Sequence, residues 1–166
     1  GSLGTAINAM QAASSSHRFM GIDSDGQVAL LTTQGNTNGH VILRGGAQTN
    51  YDSVSVNECE QELAKYNLEA ALMVDCSHAN SRKDYRRQPL VAEDVIHQIR
   101  EGNQSIIGLM IESHLNEGNQ GSDIPLSEMQ YGVSITDACI NWDSTETLLR
   151  HAHQELVPFL ENRLKG

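Results

Sequence analysis

Arg44, His78 and Glu112 follow one another at intervals of about thirty residues, each at or just past the end of a short apolar run. A fourth polar residue, Asp137, comes after the brief apolar stretch Val133-Ser134-Ile135. Histidine, glutamate and aspartate are suitable ligands for a divalent metal such as Mn²⁺, Fe²⁺, Co²⁺ or Zn²⁺. Arg44 precedes Gly45-Gly46, and a guanidinium beside glycines suits a phosphate or carboxylate, held as a bidentate pair with the backbone close by. Each residue also has a plainer reading. A strand-end histidine can be a hydrogen-bonding loop residue, and an aspartate near a helix start can be a cap.

Such distant residues meet only if the intervening chain folds into regular units. His40 to Arg44, Ala71 to Cys76 and Ser105 to Ile111 are apolar runs that read as buried strands. Between them, Ser55-Val56-Asn57-Glu58 has the form of a capping box opening a helix to about Tyr66. Pro89 suits the first turn of a second helix, which runs to about Glu101 and stops at Gly102. Asp143 and Glu146 predict the start of a final helix, in which Pro158 predicts a kink or an interruption. Alternating strands and helices with apolar strands argue for a parallel sheet, whose strand ends all lie on one face. No glycine-rich phosphate fingerprint follows a strand, which favours part of a (β/α)8 barrel over an open dinucleotide-binding sheet. A whole barrel takes about 250 residues, so 166 residues predict half of one.

Ahead of these units, Thr5 to Ala13 reads as a helix. His17 to Ile22 and Gln27 to Thr33 flank an Asp-Gly turn and read as a β-hairpin inserted at residues 17–33 of a single domain spanning residues 1–166. The net charge of -10 disfavours nucleic acid and anionic membranes. No apolar stretch is long enough to span a bilayer, and no signal peptide is evident. Three cysteines without CxxC spacing argue against a disulfide framework, so a cytoplasmic protein is expected. The basic run Ser81 to Arg87 is a solvated face or an attractor of phosphorylated substrate. His151 and His153 do not share a helix face.

Four segments resemble a known family: Ile42-Leu43-Arg44-Gly45-Gly46, Asp75-Cys76-Ser77-His78-Ala79-Asn80, Glu112 to Gln120, and Ser134 to Ile140. Together they are similar to the C-terminal half of type I DAHP synthase, 3-deoxy-7-phosphoheptulonate synthase, in the right order and over essentially the whole chain. The resemblance implies a (β/α)8 barrel condensing phosphoenolpyruvate with erythrose 4-phosphate and releasing phosphate, in the first step of the shikimate pathway. It implies His78, Glu112 and Asp137 as metal ligands, with Arg44 binding phosphoenolpyruvate. Arg44 and His78 are then the expected catalytic residues, and Asp137 also faces substrate. The metal would polarise the erythrose aldehyde or position an activated water.

The family's Lys-Asn-Gly-Thr and Lys-Pro-Arg-Thr motifs and its cysteine ligand have no counterpart here. This predicts a fragment with little or no activity alone. The hairpin corresponds to a segment beside the family's feedback-inhibitor pocket, which implies Phe19, Gly21, Ile22 and Leu31 as effector-binding residues. Gly21 resembles the tyrosine-sensitive isozymes, because phenylalanine-sensitive ones tend to carry serine there, and glycine would leave room for a tyrosine hydroxyl. Alternatives are the related synthase acting on arabinose 5-phosphate, or an inert self-associating fragment. Half a barrel exposes two strand edges and an apolar face, which predicts a homo-oligomer.

Overall fold

The computed structural model describes residues 2–163. Its elements run α1 (Leu3–Ser14), β1 (Arg18–Ile22), β2 (Val28–Thr32), β3 (Val41–Leu43), α2 (Ser53–Lys65), β4 (Leu72–Asp75), α3 (Gln88–Arg100), β5 (Ile106–Met110) and α4 (Trp142–Arg163). A single 3-10 turn, Tyr85–Arg87, leads into α3. The described residues form two sheets. β1 and β2 form an antiparallel hairpin, while β3, β4 and β5 form a parallel sheet in that order. The fold is therefore α/β with mixed sheets, and the parallel strands do not close into a barrel among the described residues.

Alternate residues of β3 and β4 face the helices, and a register shift opposite Leu72/Met73 breaks the alternation in β5. Val41, Leu43, Leu72, Val74 and Ile106 are buried against Val56, Cys59 and Leu63 of α2 and Val91, Val95 and Ile99 of α3. Ile7 and Leu148 add α1 and α4 to the same core. The other face carries Ile42, Met73 and Gly108 in one cross-strand row. A Cβ at Gly108 would come within 3.2 Å of the Met73 methyl, so the methionine occupies the space the glycine leaves. Ile42 stays exposed. Half of the sheet is thus a sealed core and half an open apolar face.

Several helix boundaries differ from the pattern reading for local reasons. Helix α2 starts two residues before Ser55, because Asp52 is the cap. Its carboxylate accepts the Ser55 N–H at 3.0 Å and the Ser55 hydroxyl at 2.8 Å. Burial pushes the Asp52 pKa up, but these bonds outweigh it and hold the carboxyl below its usual range. Asn141, rather than Asp143, caps α4 by accepting the Ser144 N–H at 2.8 Å. The helix continues through Pro158 to Arg163 as one element. Val133 to Ile135 form no strand; they belong to a long loop stitched by the Gln120 side chain to Gln130 and Val133.

The hairpin stands on the end of α1. The Asn36 N–H donates to the Ala13 carbonyl at 2.8 Å, and the His17 ring bonds the Ala12 carbonyl at 2.7 Å. Two of the carbonyls that a helix end leaves open are thereby satisfied. Gly35 makes the approach possible: at φ +84 its missing Cβ would lie 2.2 Å from the Ser14 carbonyl oxygen.

Candidate metal centre

Strand β4 ends in Asp75, buried at 1% exposure, and the chain then turns sharply through Ser77 and His78. His78 adopts φ +47, a left-handed conformation that costs a non-glycine residue energy unless its surroundings impose it. Here the Lys83 N–H fastens the turn on the His78 carbonyl at 2.8 Å. The Asp75 carboxylate does two further jobs. Its Oδ1 accepts the Ser77 N–H at 2.8 Å, and its Oδ2 lies 2.7 Å from His78 Nδ1. A carboxylate only accepts, so Nδ1 carries a proton and, in the neutral ring, Nε2 presents its lone pair.

That lone pair faces two carboxylates. Nε2 is 3.4 Å from Glu112 Oε1 and 3.5 Å from Asp137 Oδ2. The donor atoms of all three residues lie within 4.8 Å of one another, the one such group of three among the described residues. A metal with bonds of about 2.0–2.2 Å keeps neighbouring donors about 3.3–3.6 Å apart in tetrahedral geometry. The three side chains therefore fit a divalent cation in spacing and in chemistry: three acceptor atoms converge, and either a proton on Nε2 or a cation must lie between them.

Each of the three side chains is supported differently. Glu112 receives the Ser77 hydroxyl on Oε2 at 3.0 Å, and its main chain is bonded on both sides by the Gln88 amide. Asp137 is exposed, but its loop is pinned where Cys139 and Gly118 exchange main-chain hydrogen bonds of 2.9 and 3.1 Å. Cys139 lies beside the centre without joining it; burial, with Glu112 and Asp137 adding to it, pushes its thiol pKa up.

Arg44 follows β3, whose Leu43 pairs with Val74 of β4, so it emerges beside Asp75. The guanidinium is exposed, at the lip of a cavity of about 650 Å³ that also touches Gly45, Val41 and α1. His78, Glu112 and Asp137 do not line this cavity. Asn80 joins the two regions. Its amide donates to the Leu43 carbonyl at 3.0 Å and to the Asp75 carbonyl at 2.9 Å, and its Oδ1 accepts the Asn50 N–H. Asn50 in turn accepts the Gly45 N–H at 2.8 Å, so the peptides on both sides of Arg44 are tied. Gly45, at φ +71, must be glycine: a Cβ would lie 2.8 Å from that of Ala79.

On the hairpin, Phe19 pairs with Leu31 and Gly21 with Ala29, which puts Phe19, Gly21 and Leu31 on one face. Ile22 falls on the other face, with Met20, Val28 and Leu30. The space above Gly21 is filled by Leu31 Cδ1, 2.5 Å from where a Cβ would sit, so a hydroxyl enters there only after Leu31 changes rotamer.

Pattern reading singled out Arg44, His78, Glu112 and Asp137 but gave no role to Asp75, Ser77, Asn80 or Gln88. The one local clue was Asp75, a carboxylate closing an apolar strand three residues before a histidine.

The sequence pattern defining the DAHP synthetase I family matches residues 2–150. The chain is 65% identical over 164 residues to a tyrosine-sensitive phospho-2-dehydro-3-deoxyheptonate aldolase of Enterobacter agglomerans, covering 99% of this chain and 77% of that one. It is 64% identical over 156 residues to the tyrosine-sensitive enzyme of Escherichia coli, of which it spans 44%, against 47% identity to the phenylalanine-sensitive enzyme of the same organism. Among solved structures, the phospho-2-dehydro-3-deoxyheptonate aldolase of Francisella tularensis superposes with a TM-score of 0.83 at 37% identity, over 93% of this chain and 45% of that one.

Proposed function

The chain belongs to the DAHP synthetase I family, and from that premise we propose that it supplies half of a phospho-2-dehydro-3-deoxyheptonate aldolase. The reaction joins phosphoenolpyruvate to erythrose 4-phosphate with uptake of water and loss of phosphate. The observation that carries this reading is the convergence of His78 Nε2 on Glu112 and Asp137 at 3.4 and 3.5 Å, with Asp75 behind the ring.

In this reading the three parallel strands are part of the C-terminal half of a (β/α)8 barrel, and the chemistry occupies the ends of those strands. A bound Mn²⁺, Fe²⁺, Co²⁺ or Zn²⁺ supplies Lewis acidity toward a substrate oxygen. The protein's own groups do the rest. Asp75 keeps the Nδ1 proton on His78 and so fixes the ring. Arg44 binds the phosphate or carboxylate of phosphoenolpyruvate in a bidentate pair, offsets its charge and aligns it for attack on the aldehyde. Asn80 and Gly45 hold Arg44 where it can do so.

Regulation belongs to the hairpin. Phe19, Gly21 and Leu31 form one wall for an aromatic amino acid, tyrosine by the identities above, with Ile22 acting from the opposite face. The free edge of β3 and the exposed Ile42 and Ile107 favour a homo-oligomer or pairing with a complementary half. A cytoplasmic setting suits three free cysteines and the lack of any described helix long and apolar enough to cross a membrane.

The test joins this chain to the part of the E. coli enzyme that it does not match and measures product formation with Mn²⁺. We expect activity from the joined protein, none from the 166-residue chain alone, and loss of at least a hundredfold in His78→Ala and Arg44→Ala. Undiminished activity in His78→Ala would overturn the assignment.

A further inference from the structure

Resting on the metal reading of His78, Glu112 and Asp137, we infer that Gln88 and Ser77 are positioning residues that hold Glu112 in its ligating geometry. Glu112 lies two residues past the end of β5, where its carbonyl also accepts the Ile140 N–H at 3.1 Å. His78 is set by its own turn and Asp137 by a pinned loop. Glu112 takes, besides that single main-chain bond, two side chains from elsewhere in the chain.

Gln88 is the first residue of α3, fully buried, and its whole amide is spent on one residue. Oε1 accepts the Glu112 N–H at 2.8 Å, and Nε2 donates to the Glu112 carbonyl at 3.0 Å. Two bonds to opposite ends of one residue's main chain fix its rotation as well as its position. Ser77 then acts on the carboxylate. Its hydroxyl takes Oε2 at 3.0 Å, which leaves Oε1 toward His78 Nε2. The Ser77 N–H rests on the same Asp75 carboxylate that orients His78. Gln88, Glu112, Ser77, Asp75 and His78 thus form one continuous hydrogen-bonded chain that links two of the three ligands. A buried amide must find partners or carry a desolvation cost, and an apolar side chain packs at a helix start with no such demand. The partners Gln88 finds are those of a ligand residue.

The experiment is calorimetric titration of the 166-residue chain with Mn²⁺, together with unfolding curves taken without metal. Gln88→Met leaves the Glu112 N–H without its partner and lowers stability, so Ser77→Ala, a smaller change, is the deciding variant. We expect both to weaken Mn²⁺ binding about tenfold or more. Ser77→Thr, which keeps the hydroxyl, restores the affinity. The paramagnetic resonance spectrum of bound Mn²⁺ shifts in the first two variants and not in the third, which a merely structural role would not produce. If Ser77→Ala and folded Gln88→Met bind as wild type while His78→Ala does not, the inference fails and the metal reading stands. If wild type itself does not bind, both fail.

Discussion

The strand-end centre and the hairpin are built on opposite plans. At the centre, the polar groups are fixed by other polar groups: Asp75 on His78, Ser77 and Gln88 on Glu112, Asn80 around Arg44. On the hairpin, the main-chain ladder and two contacts on α1 hold the backbone, and Met20, Ile22, Val28 and Leu30 remain 61–75% exposed. A site proposed to hold a small cation gains from preorganisation. A segment that answers to a changing ligand or neighbour gains from a rigid backbone with uncommitted side chains.

Stability measurements should separate the two most widely. Leu72→Ala, in the fully buried core behind the centre, is expected to cost about 2–5 kcal/mol in urea unfolding. Leu30→Ala on the hairpin should stay within about 0.5 kcal/mol. Comparable losses at both positions would mean that the hairpin face is covered in solution.

Glycine replacement gives a finer contrast. Gly45→Ala combines a left-handed φ with a clash against Ala79 and should cost about 2–4 kcal/mol. Gly26→Ala has the same sign of φ but open space around it, so only about 1–2 kcal/mol is expected. Equal costs would show that packing around Arg44 is looser than the distances imply.

The cap of α2 contributes less and depends on pH. Asp52 has a lowered folded pKa, so its contribution is present above the unfolded value and is lost as pH falls through the folded one. Asp52→Ala should therefore cost about 1 kcal/mol at pH 7 and less once the Asp52 carboxyl is protonated in the folded and the unfolded chain alike. A pH-independent difference would contradict the capping role. The smallest effect is chemical. Burial pushes Cys59 to about 11 and Cys76 to about 12, so neither should react with iodoacetamide at pH 7.5 until the chain is unfolded.

Legibility in the sequence followed the range of the interaction. The apolar runs before Arg44, His78 and Glu112 were enough to place three parallel strands and their shared end, because short apolar runs set between helix starts and stops are written locally. Asn80 and Gln88 were invisible: they bond residues 37 and 24 positions away, and no pattern marks such a partner. Ser55 and Glu58 imitated a capping box while Asp52 did the capping, since several polar residues near one helix start compete for the same N–H groups. Val133 to Ile135 form a brief apolar stretch like those that became strands, but lie in a loop, where the Gln120 amide donates to the Val133 carbonyl.

The central claim is that His78, Glu112 and Asp137 bind one divalent ion in the folded chain. Thermal unfolding with and without Mn²⁺ tests it most directly, because a ligand specific to the native state stabilises it by an amount that grows with the logarithm of its concentration over its dissociation constant. At a free Mn²⁺ concentration a hundred times the dissociation constant, wild type should gain about 2.7 kcal/mol and His78→Ala should gain nothing. An unfolding temperature that Mn²⁺ leaves unmoved in wild type, or raises equally in His78→Ala, would contradict the account.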